Sequence, residues 1–174
     1  APVLIMTYFN IVHHYGVEAF TDKALEIGVQ GLIVPDYPFD EDEGNELLSA
    51  CKERDLAFIQ VIASTTREDR MQAILEHASG FVYCMARAGT TGKKTVITAE
   101  TADYLTGVRS HCDLPLAVGF GLSDREQVQA LEAYTDIIVV GSALIKEYAG
   151  KPLDEGLQAV EGFMRGLTQL GIRI

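Results

Sequence analysis

The sequence predicts an α/β fold with a parallel sheet, and three observations support this class. Six short apolar runs are separated by longer stretches, at residues 3–8, 31–35, 57–63, 80–85, 114–119 and 136–141. The runs are continuous and rich in Val, Ile and Leu, as in strands that a parallel sheet buries on both faces. Strand-like and helix-like stretches alternate with short connections, which is the pattern of βα units.

The intervening stretches have apolar faces at helical spacing and predict helices, at residues 17–27, 43–54, 68–78 and 124–133. After the first of them, Gly28 stands where a glycine commonly ends a helix. The last follows Ser123, and Glu126 three residues later completes the pattern of a capping box.

An open doubly wound sheet and a closed barrel both fit this alternation. Every run is followed by polar or glycine residues, and a β/α barrel gathers its site from the C-terminal ends of many strands. We therefore predict an incomplete β/α (TIM) barrel of about six parallel βα units, as one domain over residues 1–174. The runs 3–6 and 136–140 are then unpaired edges, which invite pairing with another chain. We expect the chain alone to be unstable, to aggregate, or to complete its sheet through a partner or a missing segment.

Composition and charge exclude several classes of function. The formal net charge of −11 argues against general binding to nucleic acid or to an anionic membrane. It does not exclude a small phosphorylated substrate, because backbone amides at helix N-termini bind phosphate. No apolar run reaches the roughly 18 residues of a membrane span, and no signal peptide is evident. The spacing of Cys51, Cys84 and Cys112 predicts unpaired thiols in a reducing cytosol and no metal site.

Two consecutive glycine turns between a strand and a helix carry the strongest chemical signal. They are Gly119–Gly121, with Ser123 following, and Gly141–Ser142. Glycines allow close approach of the backbone to a ligand, and barrels commonly bind phosphate after their last two strands. The alternative is that each glycine merely permits a tight turn. The pair in consecutive units favours phosphate.

Other polar positions leave two interpretations open. Residues 87–94 form a basic loop with glycines, which is either a lid over the ligand or a solvated loop. Asp36 is either a catalytic carboxylate or a loop-orienting one, and the flanking prolines favour the second role. His13 and His14 point in different directions, so a loop or interface role is favoured over joint metal binding. Tyr8 and Tyr83 are core aromatics or pocket residues, and their strand-end positions favour the pocket.

With these residues assembled, the chain resembles the α subunit of tryptophan synthase along essentially its whole length. The resembling stretches, in order, are VLIMTYFN (3–10), YGVEAF (15–20), GLIVPDYP (31–38), GFVY (80–83), RAGTTGK (87–93), VGFG-S (118–123) and VVGSALIK (139–146). The resemblance implies an eight-stranded barrel and a cytoplasmic lyase of tryptophan biosynthesis, which cleaves indole-3-glycerol phosphate to indole and glyceraldehyde 3-phosphate. It also implies a heterotetramer with a β subunit that receives indole. Pyridoxal phosphate is expected only in that β subunit, and no cofactor in this chain.

The resemblance also implies roles for individual residues. Phosphate contacts fall on Gly92, Gly121, Gly141 and Ser142. The indole pocket falls on Met6, Tyr8, Ile33, Pro35, Val61, Tyr83 and Phe120. The lid falls on residues 87–96, with Thr91 bracing the catalytic aspartate. Positions facing the β subunit lie within 10–14 and 36–38, and include Asn10, His13, His14, Asp36 and Pro38.

The family's two catalytic carboxylates, a Glu and an Asp, have no counterpart here and are expected upstream of Ala1. The chain alone is therefore expected to be inactive. Two alternatives remain open. One is a non-catalytic fragment that binds phosphate or contacts a β subunit. The other is another phosphate-binding barrel enzyme, such as indole-glycerol-phosphate synthase or a sugar-phosphate isomerase.

Overall fold

The computed structural model describes residues 1–38, 40–85, 98–119 and 121–168, and the chain divides into two compact units. Unit 1 comprises Ala1–Ile62, Thr66–Tyr83 and His111–Pro115. Unit 2 comprises Ala63–Thr65, Cys84–Ser110 and Leu116–Ile174.

The strands confirm the predicted α/β class. They are β1 (Leu4–Met6), β2 (Gly31–Ile33), β3 (Ala57–Ala63), β4 (Val82–Met85), β5 (Leu116–Gly119) and β6 (Ile137–Val139). Their order in the sheet is β1-β2-β3-β4-β5-β6, and the pairings with defined register, β1–β2, β2–β3 and β5–β6, are parallel. Each strand falls within one of the six apolar runs, and β1 and β6 stand at the two ends of the order.

The described helices are α1 (Phe9–Tyr15), α2 (Val17–Glu26), α3 (Asp42–Glu53), α4 (Glu68–Leu75), α5 (Ala99–His111), α6 (Arg125–Leu131), α7 (Ser142–Tyr148) and α8 (Leu153–Thr168). Four of them match the predicted helices within three residues at each end. In the described part of the chain, no helix combines the length and the apolar character that crossing a membrane requires.

The sheet of unit 1 has two faces with different surroundings. Leu32 of β2 and Phe58 of β3 belong to the buried core that packs against the helices. Side chains alternate along a strand, so Met6, Ile33 and Val61 lie on the opposite face. The register places Met6 beside Ile33 across β1 and β2. This second face is the one on which the indole pocket is predicted.

In unit 2, hydrogen bonds at the start of β6 fix its register against β5. The Asp136 carboxylate accepts a hydrogen bond from the Leu116 N–H at 2.8 Å and another from the Arg109 guanidinium. The Thr135 hydroxyl donates to the Leu116 carbonyl at 2.6 Å. At the other end of the strands Gly119 pairs with Val139. Both predicted phosphate turns therefore follow the C-terminal ends of neighbouring strands.

Candidate functional site

The first predicted phosphate turn leaves β5 and enters α6 in unit 2. Gly121 has φ +53°, a left-handed conformation that glycine adopts without steric cost. The backbone of this turn therefore favours glycine whether or not a ligand binds. At this position the tight-turn interpretation is sufficient by itself.

The N-terminus of α6 is capped by its own side chains, one residue later than predicted. Asp124 is the N-cap, and its Oδ1 accepts a hydrogen bond from the Gln127 N–H at 3.0 Å. The Gln127 Oε1 in turn accepts from the Ser123 N–H at 2.9 Å. The capping box predicted from Ser123 and Glu126 was wrong by one position. The amides of this cap already have partners inside the protein.

The second predicted phosphate turn, between β6 and α7, differs from the first in the conformation of its glycine and in the capping of the helix that follows. A Cβ on Gly141 would meet no atom within 4 Å, and its φ of −117° lies outside the left-handed region. The N-terminus of α7 has no side-chain cap, and the first N–H groups of any helix lack intrahelical acceptors. Packing within the described chain gives no reason for glycine at 141.

The described residues of the predicted indole pocket lie in unit 1 and differ in their exposure. Met6, at the end of β1, is 56% exposed, whereas its neighbour Ile33 is only 7% exposed. Val61 follows Ile59 by two residues in β3, and Ile59 pairs with Ile33. These side chains form a continuous apolar strip across β1, β2 and β3. Such a strip suits the flat face of an aromatic ring.

The other described residues of the predicted pocket lie after β1, after β2 and in β4. Tyr8 is 62% exposed as the N-cap residue of α1, and Pro35 is exposed in the turn after β2. Tyr83 is half-buried in β4, and burial raises the pKa of its hydroxyl above the ordinary value. A neutral phenol at physiological pH offers a hydrogen-bonding hydroxyl beside an apolar surface.

The positions predicted to face a β subunit are brought together by α1 and the loop after β2. Asn10, His13 and His14 are exposed on α1, so they lie on a helix and not in a loop. The Asp36 carboxylate accepts a hydrogen bond from the Phe9 N–H at 2.8 Å. Asp36 therefore has the loop-orienting contact favoured from sequence. Among the described residues, no group of three His, Cys, Asp or Glu side chains is arranged to bind a metal ion.

Tyr37, which follows Asp36, was not singled out from sequence. It is 8% exposed, and its ring packs edge-on against Phe58 at a centroid distance of 4.8 Å. Burial raises the pKa of its hydroxyl, with a smaller contribution from Cys51. The ring anchors the loop from Pro35 to Pro38 to the core of unit 1. The signal available in the sequence was an aromatic residue between two prolines.

Two grooves in the described structure lie at the N-terminal ends of strands, away from the C-terminal ends. One, of about 460 Å³ in unit 1, is lined by residues preceding β3 and β4, including Asp55, His77 and Ser79. The other, of about 180 Å³ in unit 2, lies beside Thr135 and Asp136 at the start of β6. In β/α barrels the N-terminal ends of strands serve stability and the C-terminal ends carry the site. Neither groove coincides with the predicted site residues.

Three predicted site residues lie outside the described residues. They are Thr91, Gly92 and Phe120. The whole predicted lid, residues 87–96, also lies outside the described residues. Their roles remain predictions from the resemblance.

Comparison with known proteins gives consistent results. The family model for "Tryptophan synthase alpha chain" matches residues 1–169. The tryptophan synthase alpha chain of Syntrophotalea carbinolica is 45% identical over 167 residues, which cover 95% of this chain and 63% of that protein. The corresponding protein of Synechocystis sp. is 41% identical over 168 residues, covering 96% of this chain and 63% of that one. The chain thus spans about 63% of the length of these curated relatives.

Solved structures agree with the sequence comparison. A chain of the tryptophan synthase α2β2 complex from Pyrococcus furiosus matches with a TM-score of 0.85 and 31% identity, covering 97% of this chain and 67% of that one. A chain of tryptophan synthase from Mycobacterium tuberculosis matches with a TM-score of 0.83 and 33% identity, covering 100% of this chain and 63% of that one. The similarity extends over nearly all of the present sequence.

Proposed function

The chain belongs to the tryptophan synthase α chain family, and from this premise we propose that it binds indole-3-glycerol phosphate as part of a lyase that releases indole. The match to the family over residues 1–169 is the observation that carries the proposal. The phosphate is assigned to the Gly121 and Gly141–Ser142 turns, and the indole ring to the apolar strip of Met6, Ile33 and Val61.

The Gly141 turn gives independent support for the phosphate assignment. Glycine is unnecessary there for packing among the described residues, because an added Cβ has open space around it. The uncapped start of α7 offers N–H groups and the positive end of the helix dipole to an anion. Gly141 is therefore a cleaner probe of ligand contact than Gly121, whose left-handed φ penalises any other residue.

Cleavage of the substrate requires acid–base chemistry that we do not assign to this chain. Breaking the carbon–carbon bond to indole removes a proton from a glycerol hydroxyl and delivers one to the indole ring, so a base and an acid must both be in reach. Asp36, the site carboxylate named from sequence, is already hydrogen-bonded to the Phe9 N–H. We propose that the chain alone binds the substrate and does not cleave it.

A tryptophan synthase β subunit is the proposed partner, and α1 supports this choice. Ile11 and Tyr15 are 52% and 57% exposed at positions i and i+4 of α1, so they form one apolar stripe. Exposed apolar stripes of this kind mark interaction surfaces. The solved α2β2 complex from Pyrococcus furiosus is an assembly of this kind in a similar protein.

Calorimetric titration with glycerol 3-phosphate tests the phosphate assignment. Gly141→Ala should weaken binding about tenfold or more, because loss of a hydrogen bond to a charged group costs about 1.5–3 kcal/mol. Gly162→Ala is the matched control: its Cβ also meets no atom within 4 Å, and it lies in α8. Equal affinity of the two variants would refute the assignment of phosphate to Gly141.

A further inference from the structure

The backbone ladder between β1 and β2 is extended past its end by a side chain. The last backbone contact of this ladder is from the Thr7 N–H to the Ile33 carbonyl, at 3.1 Å. Two residues later, the Phe9 N–H donates a hydrogen bond to the Asp36 Oδ1, in the segment after β2, at 2.8 Å. A carboxylate thus takes the place of a backbone acceptor between two segments that are 27 residues apart.

The turn after β2 places this carboxylate. The Tyr37 N–H donates to the Val34 carbonyl at 3.2 Å, which closes a β-turn with Pro35 and Asp36 at its two central positions. The proline ring fixes φ at the first of these positions. The buried ring of Tyr37 holds the far side of the turn against Phe58. The turn therefore holds the backbone of Asp36 in a fixed position.

Helix α1 depends on this carboxylate for its N-terminal cap. Its own N-cap residue, Tyr8, makes no side-chain capping hydrogen bond. Phe9 is the first residue of the helix, so its N–H has no intrahelical acceptor. A carboxylate satisfies that donor with a charge-assisted hydrogen bond and also interacts favourably with the positive end of the helix.

The capped helix is the one that presents the apolar stripe of Ile11 and Tyr15. Beside the stripe, Val12 is completely buried and Phe9 packs against the same core, so the helix has an anchored side next to an exposed one. A seven-residue helix is too short to be stable by itself, and contacts at its ends decide its orientation. The bond from Phe9 to Asp36 is such a contact.

We propose that Asp36 is a positioning residue for partner binding: by capping α1 from the loop after β2, it holds the apolar stripe in the orientation that a β subunit recognises. This inference rests on the proposed function, in which that subunit is the partner. The bond runs from Phe9, directly before segment 10–14, to Asp36 in segment 36–38, and the resemblance predicts that both segments face the β subunit. Asp36 acts through α1 and the loop and is not assigned a step in the reaction.

Two substitutions separate the hydrogen bond from the charge. Asp36→Ala removes the acceptor, whereas Asp36→Asn keeps an oxygen that can accept from the Phe9 N–H. In hydrogen-exchange measurements on the full chain, Asp36→Ala should make the α1 amides exchange about tenfold faster, as loss of a helix cap predicts. Its affinity for a tryptophan synthase β subunit should fall by about the same factor. Asp36→Asn should stay within about threefold of the unsubstituted chain in both measurements.

Asp136→Ala provides the control for a merely structural effect. It breaks the contacts to Leu116 and Arg109 in unit 2 and should lower the unfolding midpoint without changing β-subunit affinity. If Asp36→Ala weakens β binding no more than this control, the inference is overturned. If Asn fails to rescue Ala in both measurements, the hydrogen bond is not the cause and the inference is also overturned. If the unsubstituted chain does not bind a β subunit, the proposed partner is wrong and the inference falls with it.

Discussion

Gly31, at the start of β2, should be intolerant of even one added methyl group. A Cβ at this position would lie 2.5 Å from the Ala57 carbonyl oxygen and 2.9 Å from the Ala57 Cβ. Ordinary C···O contacts begin near 3.3 Å, so the paired strands would have to separate by roughly 0.8 Å. Overpacking of this kind costs about 1–3 kcal/mol. The reduced freedom of the unfolded chain offsets about 0.5–1 kcal/mol of it.

The closest atom is a backbone oxygen, which cannot rotate away, so the cost lies in the upper half of that range, about 2–3 kcal/mol. Less the offset, we expect Gly31→Ala to lower the free energy of unfolding by about 1–2 kcal/mol. For a chain of this size, each kcal/mol moves the melting temperature by about 2–4 °C, so the melt should fall by about 2–8 °C. Circular dichroism at low protein concentration measures this shift. Gly162→Ala, in the interior of α8 with open space around its Cβ, should instead raise the melt by about 1–4 °C.

The reasoning depends on the opposite signs of these two substitutions. If Gly31→Ala melts at or above the temperature of the unsubstituted chain, the close contact between β2 and β3 does not determine the residue at 31. The register that aligns Ile33 with Ile59 would then need another explanation.

Two further predictions concern titration and thiol reactivity. Desolvation alone would raise the pKa of Asp136, but the hydrogen bonds from Leu116 and the Arg109 guanidinium outweigh it, and the pKa is lowered. This stabilisation is present above the unfolded-state pKa of about 3.9 and is lost as pH falls through the lower folded value. Asp136→Asn should therefore lower the urea midpoint at pH 7 and show a smaller further loss below pH about 4. Burial raises the pKa of the Cys51 thiol to about 12, so little of it is present as the reactive thiolate. In the native chain at pH 8, a disulfide reagent should therefore modify the half-buried Cys112 well before the buried Cys51. Equal rates of modification would contradict this.

The strands could be predicted from sequence because their signal is local. A run such as 57–63 is apolar on successive residues, and burial on both faces of a parallel strand requires only that. Helix α1 was missed because its determinants are not local. Within Phe9–Tyr15 only Val12 is buried, and the N-terminal cap comes from Asp36, far along the chain.

Local sequence also cannot tell why a glycine stands at a given position beside a strand. Gly31, Gly121 and Gly141 each adjoin a strand, and a sequence pattern treats them alike. The structure separates them: Gly31 is required by the neighbouring strand, Gly121 by a left-handed φ, and Gly141 by neither. Gly141 is therefore the position at which a ligand contact is proposed and can be tested by adding a methyl group. Three-dimensional distances, which a single sequence does not contain, make this distinction.

The capping box illustrates how a nearly correct pattern shifts. Ser123 with Glu126 and Asp124 with Gln127 both have a capping residue followed three positions later by an acid or amide. Gln127 is buried and reaches back to the Ser123 and Asp124 amides, so the second pair forms the cap. Side-chain reach within the fold decided between two overlapping patterns.

Titration of the purified chain with indole-3-glycerol phosphate, with indole release followed in the same samples, tests the central claim most directly. We predict a calorimetric binding signal that Gly141→Ala weakens, together with negligible formation of indole. Release of indole at a rate near that of a full-length curated relative would contradict the claim that this chain binds without cleaving. Absence of any binding signal would contradict the assignment of the phosphate and indole sites.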